Sequence, residues 1–157
     1  MEVDVQLALD QAGQASVPNA HTIQCWVDAA LQVAEQKTTA TQMTVRIVER
    51  DEIVELNEQF RQKNGPTNVL SFPFEPTPGM PAELAEPELG DVVVCAAVVE
   101  QEAREQNKTS EAHWAHMIVH GSLHLLGYDH IKEDEAKQME ALEVDVLARL
   151  GFADPYS

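Results

Sequence analysis

Basic side chains are scarce in this sequence: ten lysines and arginines stand against 27 aspartates and glutamates, a formal charge of −17 over 157 residues. Taken alone, that balance argues against nucleic-acid binding, which usually draws on lysine and arginine to release counterions from phosphates. Cysteine is scarce too. Cys25 and Cys95 lie far apart with no C-x2-C pairing, each among apolar neighbours, so both are expected to be core thiols in a reducing compartment. The longest uninterrupted apolar run, Val92 to Val99, is far too short to span a bilayer. The start, Met1-Glu2-Val3-Asp4, has no basic region followed by an apolar stretch, which argues against a signal peptide. A Gly-rich phosphate loop, an internal repeat and a Ser-His-Asp order are also missing. These absences lead to the expectation of a cytoplasmic protein with no membrane contact. Residues 1–157 suit one domain, large enough to bury roughly two thirds of its unfolded surface without cross-links.

What is present is histidine, concentrated in one place. The stretch His120-Gly121-Ser122-Leu123-His124-Leu125-Leu126-Gly127-Tyr128-Asp129-His130 holds three of the six. Residues four apart on an α-helix lie on one face, a turn above one another, so His120 and His124 can grip one ion. Gly127 can take the left-handed conformation that ends a helix, and the chain can then fold back to bring in His130. Three imidazoles with an open fourth position describe a catalytic zinc site, since structural zinc normally has four protein ligands and is rich in thiolate. The metal expected is one Zn2+ on His120, His124 and His130. The same spacing occurs in metzincin proteases, but those carry Glu after the first His, where this chain has Gly121. A peptidase general base is thereby missing.

The eleven residues also resemble the signature of the YbeY endoribonuclease family. The resemblance extends to Phe60-Arg61, Gly65-Pro66-Thr67-Asn68-Val69-Leu70-Ser71-Phe72, Gly90-Asp91-Val92 and Ala112-His113-Trp114-Ala115-His116, and covers roughly Thr44 to Gly151. It implies a four-stranded mixed sheet covered by helices and a functional arginine at Arg61. It also implies a single-strand-specific endoribonuclease that acts on small-subunit ribosomal RNA, at the 3′ end of the 16S species, and in ribosome quality control. A ribosomal protein or a ribosome-associated GTPase would then be a partner. Chemically an arginine suits the role at position 61, because guanidinium presents a planar donor fork to phosphate oxygens and keeps its charge.

Along the chain, Val3, Val5, Leu7 and Leu9 alternate with polar residues as in a strand with one buried face. Ile23, Trp26, Val27, Ala30, Leu31 and Ala34 fall at helical spacing. Met43, Val45 and Ile47 read as a second strand. Asp51 is placed to cap a helix with Ile53, Leu56 and Phe60 as its stripe. Lys63 to Thr67 is a turn, and Asn68 to Phe72 a short strand that Pro73 confines to an edge, where it could line a cleft. Proline and acid fill residues 73–87, which suit a mobile loop; Leu89 to Val94 return to strand. A helical pattern covers Ala96 to Gln106. Ser110 is expected to cap the histidine helix, whose apolar residues on most sides suggest that the domain packs around it. His116 is expected to pack or support, and His113 to be partly exposed. The last helix, Glu133 to Leu150, turns Met139, Leu142, Val146 and Leu150 inward and its acids to solvent. Strands and helices without a regular βαβ alternation make the class α+β.

The chemistry expected is metal-assisted hydrolysis. Zinc can lower the pKa of its water to about 7, or polarise the phosphate while the ribose 2′-hydroxyl attacks, and the sequence leaves both routes open. Arg61 would neutralise charge on the nonbridging oxygens. Asp129 is either a proton-handling carboxylate or a turn residue, and Asp91 is expected to serve a strand end. The acids crowd the last helix and the 83–88 loop, away from Arg50, Arg61 and Lys63, so weak binding to free RNA made specific by a partner fits the charge. Two other readings stay open: a non-catalytic ribosome assembly factor with a structural metal, and a metzincin-like metallohydrolase acting on another substrate.

Overall fold

The computed structural model describes residues 1–10, 17–34, 38, 40–74, 88–129 and 131–156. The described elements, in order, are β1 (Glu2–Ala8), α1 (Ala20–Ala34), β2 (Gln42–Val48), α2 (Arg50–Arg61), β3 (Val69–Pro73), β4 (Glu88–Cys95), α3 (Ala96–Glu105), α4 (Ser110–Leu125) and α5 (Glu133–Arg149). The four strands form one mixed sheet in the order β1-β2-β4-β3. Strands β1, β2 and β4 run parallel, and β3 pairs antiparallel with β4 at the edge, so Pro73 sits where a missing N–H does no harm. The class is α+β as expected, and among the described residues no helix is long and apolar enough to cross a membrane.

The long apolar run is explained by position. Val92 and Val94 of β4 face one side, Val93 and Cys95 the other, and each side is buried by helices. A central strand covered on both faces reads as continuous hydrophobicity, not alternation. The run then crosses directly into α3, whose first residue is Ala96. On the larger side α1, α4 and α5 pack over Met43, Val45, Ile47, Val92 and Val94; on the smaller side Val48, Ile53, Leu70, Val93 and Cys95 cluster under α2.

Helix α4 lies at the centre, and eleven of its sixteen residues are buried. It can approach the sheet because Gly121 has no side chain. A Cβ there would stand 2.6 Å from Val92 Cγ1 and 3.2 Å from Cγ2. The bare backbone of Gly121 instead accepts a hydrogen bond from Ser71 Oγ at 3.1 Å, which ties α4 to the edge strand.

Several local expectations need correction. The Thr109 side chain, not Ser110, caps α4 by accepting from the Ala112 N–H, while Ser110 Oγ donates to Glu100. Glu49 occupies the N-cap of α2, so Asp51 lies inside its first turn. Cys25 is exposed, because Ile23, Trp26, Val27 and Ala30 define the inward face of α1 and position 25 points away from it. Leu7 is also exposed. The acids of α5 are not all solvated: Glu143 is fully buried. The expected loop falls mostly in residues 75–87, outside the described residues.

Candidate metal centre and cleft

The C-terminus of α4 is built as its glycine suggests. Gly127 has φ +102°, its N–H donates to the His124 carbonyl, and the Tyr128 N–H reaches back to the Leu123 carbonyl. This paired reversal closes the carbonyls of the last turn and turns the chain away from the helix axis. His120 and His124 then stand on adjacent turns with their Nε2 atoms 3.1 Å apart. Two nitrogens sharing a tetrahedral zinc at about 2.0–2.1 Å would stand roughly 3.3 Å apart, so the pair fits one ion. His130 lies outside the described residues.

Behind His120 is the residue that the sequence reading placed in solvent. The His120 Nδ1–H donates to Glu143 Oε1, and the other carboxylate oxygen accepts from the Tyr156 hydroxyl. His116 joins from the same helix, with Nε2 3.2 Å from the Tyr156 oxygen and 3.6 Å from Glu143 Oε2. Burial alone would raise the Glu143 carboxyl, but the nearby His116 and the hydrogen bonds from His120 and Tyr156 outweigh it and hold it at about 2. Burial and the neighbouring carboxylate push the Tyr156 hydroxyl up, so it stays protonated as a donor.

His116, His120 and Glu143 offer ligand atoms within 4.8 Å of one another and form a group that could bind a metal. Glu143 is also in direct hydrogen-bond contact with His120 Nδ1. A carboxylate on the far nitrogen is the usual device for fixing the tautomer of a metal-ligating histidine, because it leaves Nε2 with a lone pair. The donor set at His120 and His124 therefore fits a metal on the Nε2 side. His113 is buried, not partly exposed, with Nε2 3.0 Å from Glu102 Oε1; burial lowers its pKa.

His120 and His124 open onto a cleft of about 800 Å³. Phe60, Arg61 and Lys63 also line it, together with strand β3 from Val69 to Phe72. The cationic rim is held in place from within the protein. Gln62 ends α2 in the left-handed region, and the buried Asn57 donates from Nδ2 to the Gly65 carbonyl at 2.9 Å, fixing the turn after Arg61. Glu102 serves both His113 and Asn68 Nδ2, which secures the start of β3. Asp129 also lines the cleft, whereas Asp91 is exposed on β4 opposite Phe72.

The family model for endoribonuclease YbeY matches residues 9–151 of the chain. The chain belongs to the YbeY endoribonuclease family. Among solved structures, the solution structure of TM1509 from Thermotoga maritima is 25% identical, covers 99% of both chains and superposes with a TM-score of 0.56. Membership in the YbeY family makes this a nuclease fold, and the described site accords with that chemistry more readily than with a protease. The position where a metzincin carries its glutamate is pressed against Val92, without room for a side chain.

Asn57, Glu102, Glu143 and Tyr156 were not among the residues the sequence singled out. For Glu143 a signal existed. It lies four residues after Met139 and three before Val146, on the apolar stripe of α5, where an acid needs a partner. Tyr156 carried no such signal.

Proposed function

We propose that this protein is a zinc-dependent, single-strand-specific endoribonuclease acting in ribosomal RNA maturation, at the 3′ end of the small-subunit RNA, and in ribosome quality control. His120, His124 and His130 hold one ion, and Arg61 receives the phosphate. The observation that carries the reading is the shared cleft: His120, His124 and Arg61 line one space together with the edge strand. A cation held by three imidazoles supplies Lewis acidity and a nucleophile at neutral pH.

The protein's own residues account for the rest. Arg61 and Lys63 place fixed positive charge where nonbridging phosphoryl oxygens become more negative, and Arg61 presents two donors at once. Phe60 is 58% exposed beside Arg61 and meets Phe72 edge-on with ring centroids 5.3 Å apart. An exposed aromatic next to a phosphate-binding cation suits an unpaired base, which stacks at about 1–3 kcal/mol, and not a closed duplex. With a net charge of −17 the chain has little general attraction for RNA, so a ribosomal protein or a ribosome-associated GTPase brings it to its substrate in the cytoplasm.

The test is cleavage of a ribosomal RNA precursor by wild type, His124→Ala and Arg61→Ala, with metal analysis of each. Expected are loss of metal and cleavage in His124→Ala, and loss of cleavage with metal retained in Arg61→Ala. Unchanged cleavage by the histidine variant would identify a contaminating nuclease. An Arg61→Ala protein that complements fully without cleaving would make the protein an assembly factor whose metal holds the fold. End-group analysis of the product distinguishes attack by water from attack by the ribose 2′-hydroxyl.

A further inference from the structure

After α5 the chain reverses and returns along the back of α4. Gly151 has φ +91°, and the Phe152 N–H donates to the Leu147 carbonyl at 2.8 Å. Phe152 packs edge-on to the buried Trp26, Lys108 Nζ donates to the Pro155 carbonyl at 3.1 Å, and the Tyr156 N–H donates to Asp154 Oδ1 at 2.8 Å. These contacts form a hook with Tyr156 at its tip. The Tyr156 ring is half exposed, so burial of its apolar surface does little to explain its place. Its hydroxyl does more, because it reaches the fully buried Glu143.

The hydrogens can be assigned one after another. Tyr156 has a single hydroxyl proton and donates it to Glu143 Oε2, so its oxygen can accept from His116 Nε2–H. His116 Nδ1 is buried without a partner among the described residues, which suits the bare nitrogen of that tautomer better than an N–H. Glu143 Oε1 is left to take the proton on His120 Nδ1. His120 Nε2, the atom beside His124 Nε2, then carries a lone pair.

We propose that Tyr156 is a positioning residue for the metal centre: the carboxyl-terminal hook holds Glu143 in the one orientation that keeps the proton of His120 on Nδ1 and turns Nε2 toward the cleft. This rests on the metal-site reading above for its consequence, but the tautomer itself does not depend on a metal. Removing the hydroxyl leaves Glu143 Oε2 and His116 Nε2 without their shared partner. The carboxylate then gains freedom to turn toward His116 and release His120.

The experiment compares the wild-type chain with Tyr156→Phe, which keeps the ring and the hook's packing. The ring nitrogens of His120 are followed by 15N NMR in metal-free protein at constant pH, and zinc affinity by competition with a chelator. In the wild type the Nδ1–H tautomer should dominate. In Tyr156→Phe the two tautomers should mix and zinc should bind about tenfold more weakly, the lower end for loss of an outer partner. Glu143→Gln, which keeps the size but weakens the acceptor, should shift His120 the same way. A Tyr156→Phe protein with the wild-type tautomer, whatever its thermal stability, overturns the proposal and makes the hook a structural closure only. If wild type binds no zinc yet the tautomers mix in the variant, positioning stands and the metal reading fails.

Discussion

Replacing Gly121 by alanine should destabilise the protein, although alanine is the better helix former. Helix propensity favours the change by about 1 kcal/mol. Against this, the added Cβ would meet Val92 Cγ1 at 2.6 Å and Cγ2 at 3.2 Å. Val92 cannot give easily, because it is β-branched, fully buried and fixed in the central strand β4. Overpacking of such a site costs roughly 1–3 kcal/mol, and displacement of the helix would also strain the hydrogen bond from Ser71 Oγ to the Gly121 carbonyl, worth about 1 kcal/mol. The clash wins, for a net loss of about 1–2 kcal/mol. In a chain of this length that lowers Tm by roughly 2–8 °C. The assay is thermal and denaturant unfolding of Gly121→Ala, Val92→Ala and the double variant. The double variant should be more stable than the sum of the singles allows, by about 1 kcal/mol, because Val92→Ala removes both atoms in the way. A stabilised Gly121→Ala, or strictly additive singles, would refute the close approach of α4 to the sheet and with it the steric case against a metzincin glutamate.

Gly127→Ala should cost about 1 kcal/mol in unfolding experiments, since φ +102° disfavours any Cβ even though the space around it is open. In metal-free protein, the Glu143 carboxyl held at about 2 against an ordinary value of 4.5 binds its proton in the unfolded chain first. Its stabilisation is therefore complete above pH 4.5 and lost as pH falls toward 2, by roughly 3 kcal/mol at most, and Glu143→Gln should flatten that part of the stability profile. Phe60→Ala should raise KM for single-stranded RNA about fivefold with kcat little changed, matching about 1 kcal/mol of lost stacking; an equal fall in kcat would place Phe60 in the chemistry instead.

What could be read from the sequence was local and periodic. His120 and His124 declared themselves by four-residue spacing, Gly127 by its place at a helix end, and α5 by its apolar stripe. The edge position of β3 was legible because Pro73 cannot donate to a ladder, and the centrality of α4 because apolar residues surround it. What escaped was set by partners remote in sequence. Glu143 looked like one more acid in an acidic helix, since His120 and Tyr156, which hold it, lie 23 residues before and 13 after. His113 was expected to be partly exposed because nothing local announced Glu102 as its partner. Gly121 could be seen to lack a carboxylate, but that no side chain could stand there required the position of Val92. The sheet order β1-β2-β4-β3 depends on non-local pairing and was not legible; the family resemblance implied only a four-stranded mixed sheet.

The metal assignment to His120 and His124 is tested most directly by where a cation binds. A crystal grown with zinc and measured at its absorption edge should show one anomalous peak about 2.1 Å from both His120 Nε2 and His124 Nε2, on the side of the cleft that faces Arg61. A peak among His116, His120 Nδ1 and Glu143 instead, or none at the paired Nε2 atoms, would contradict it.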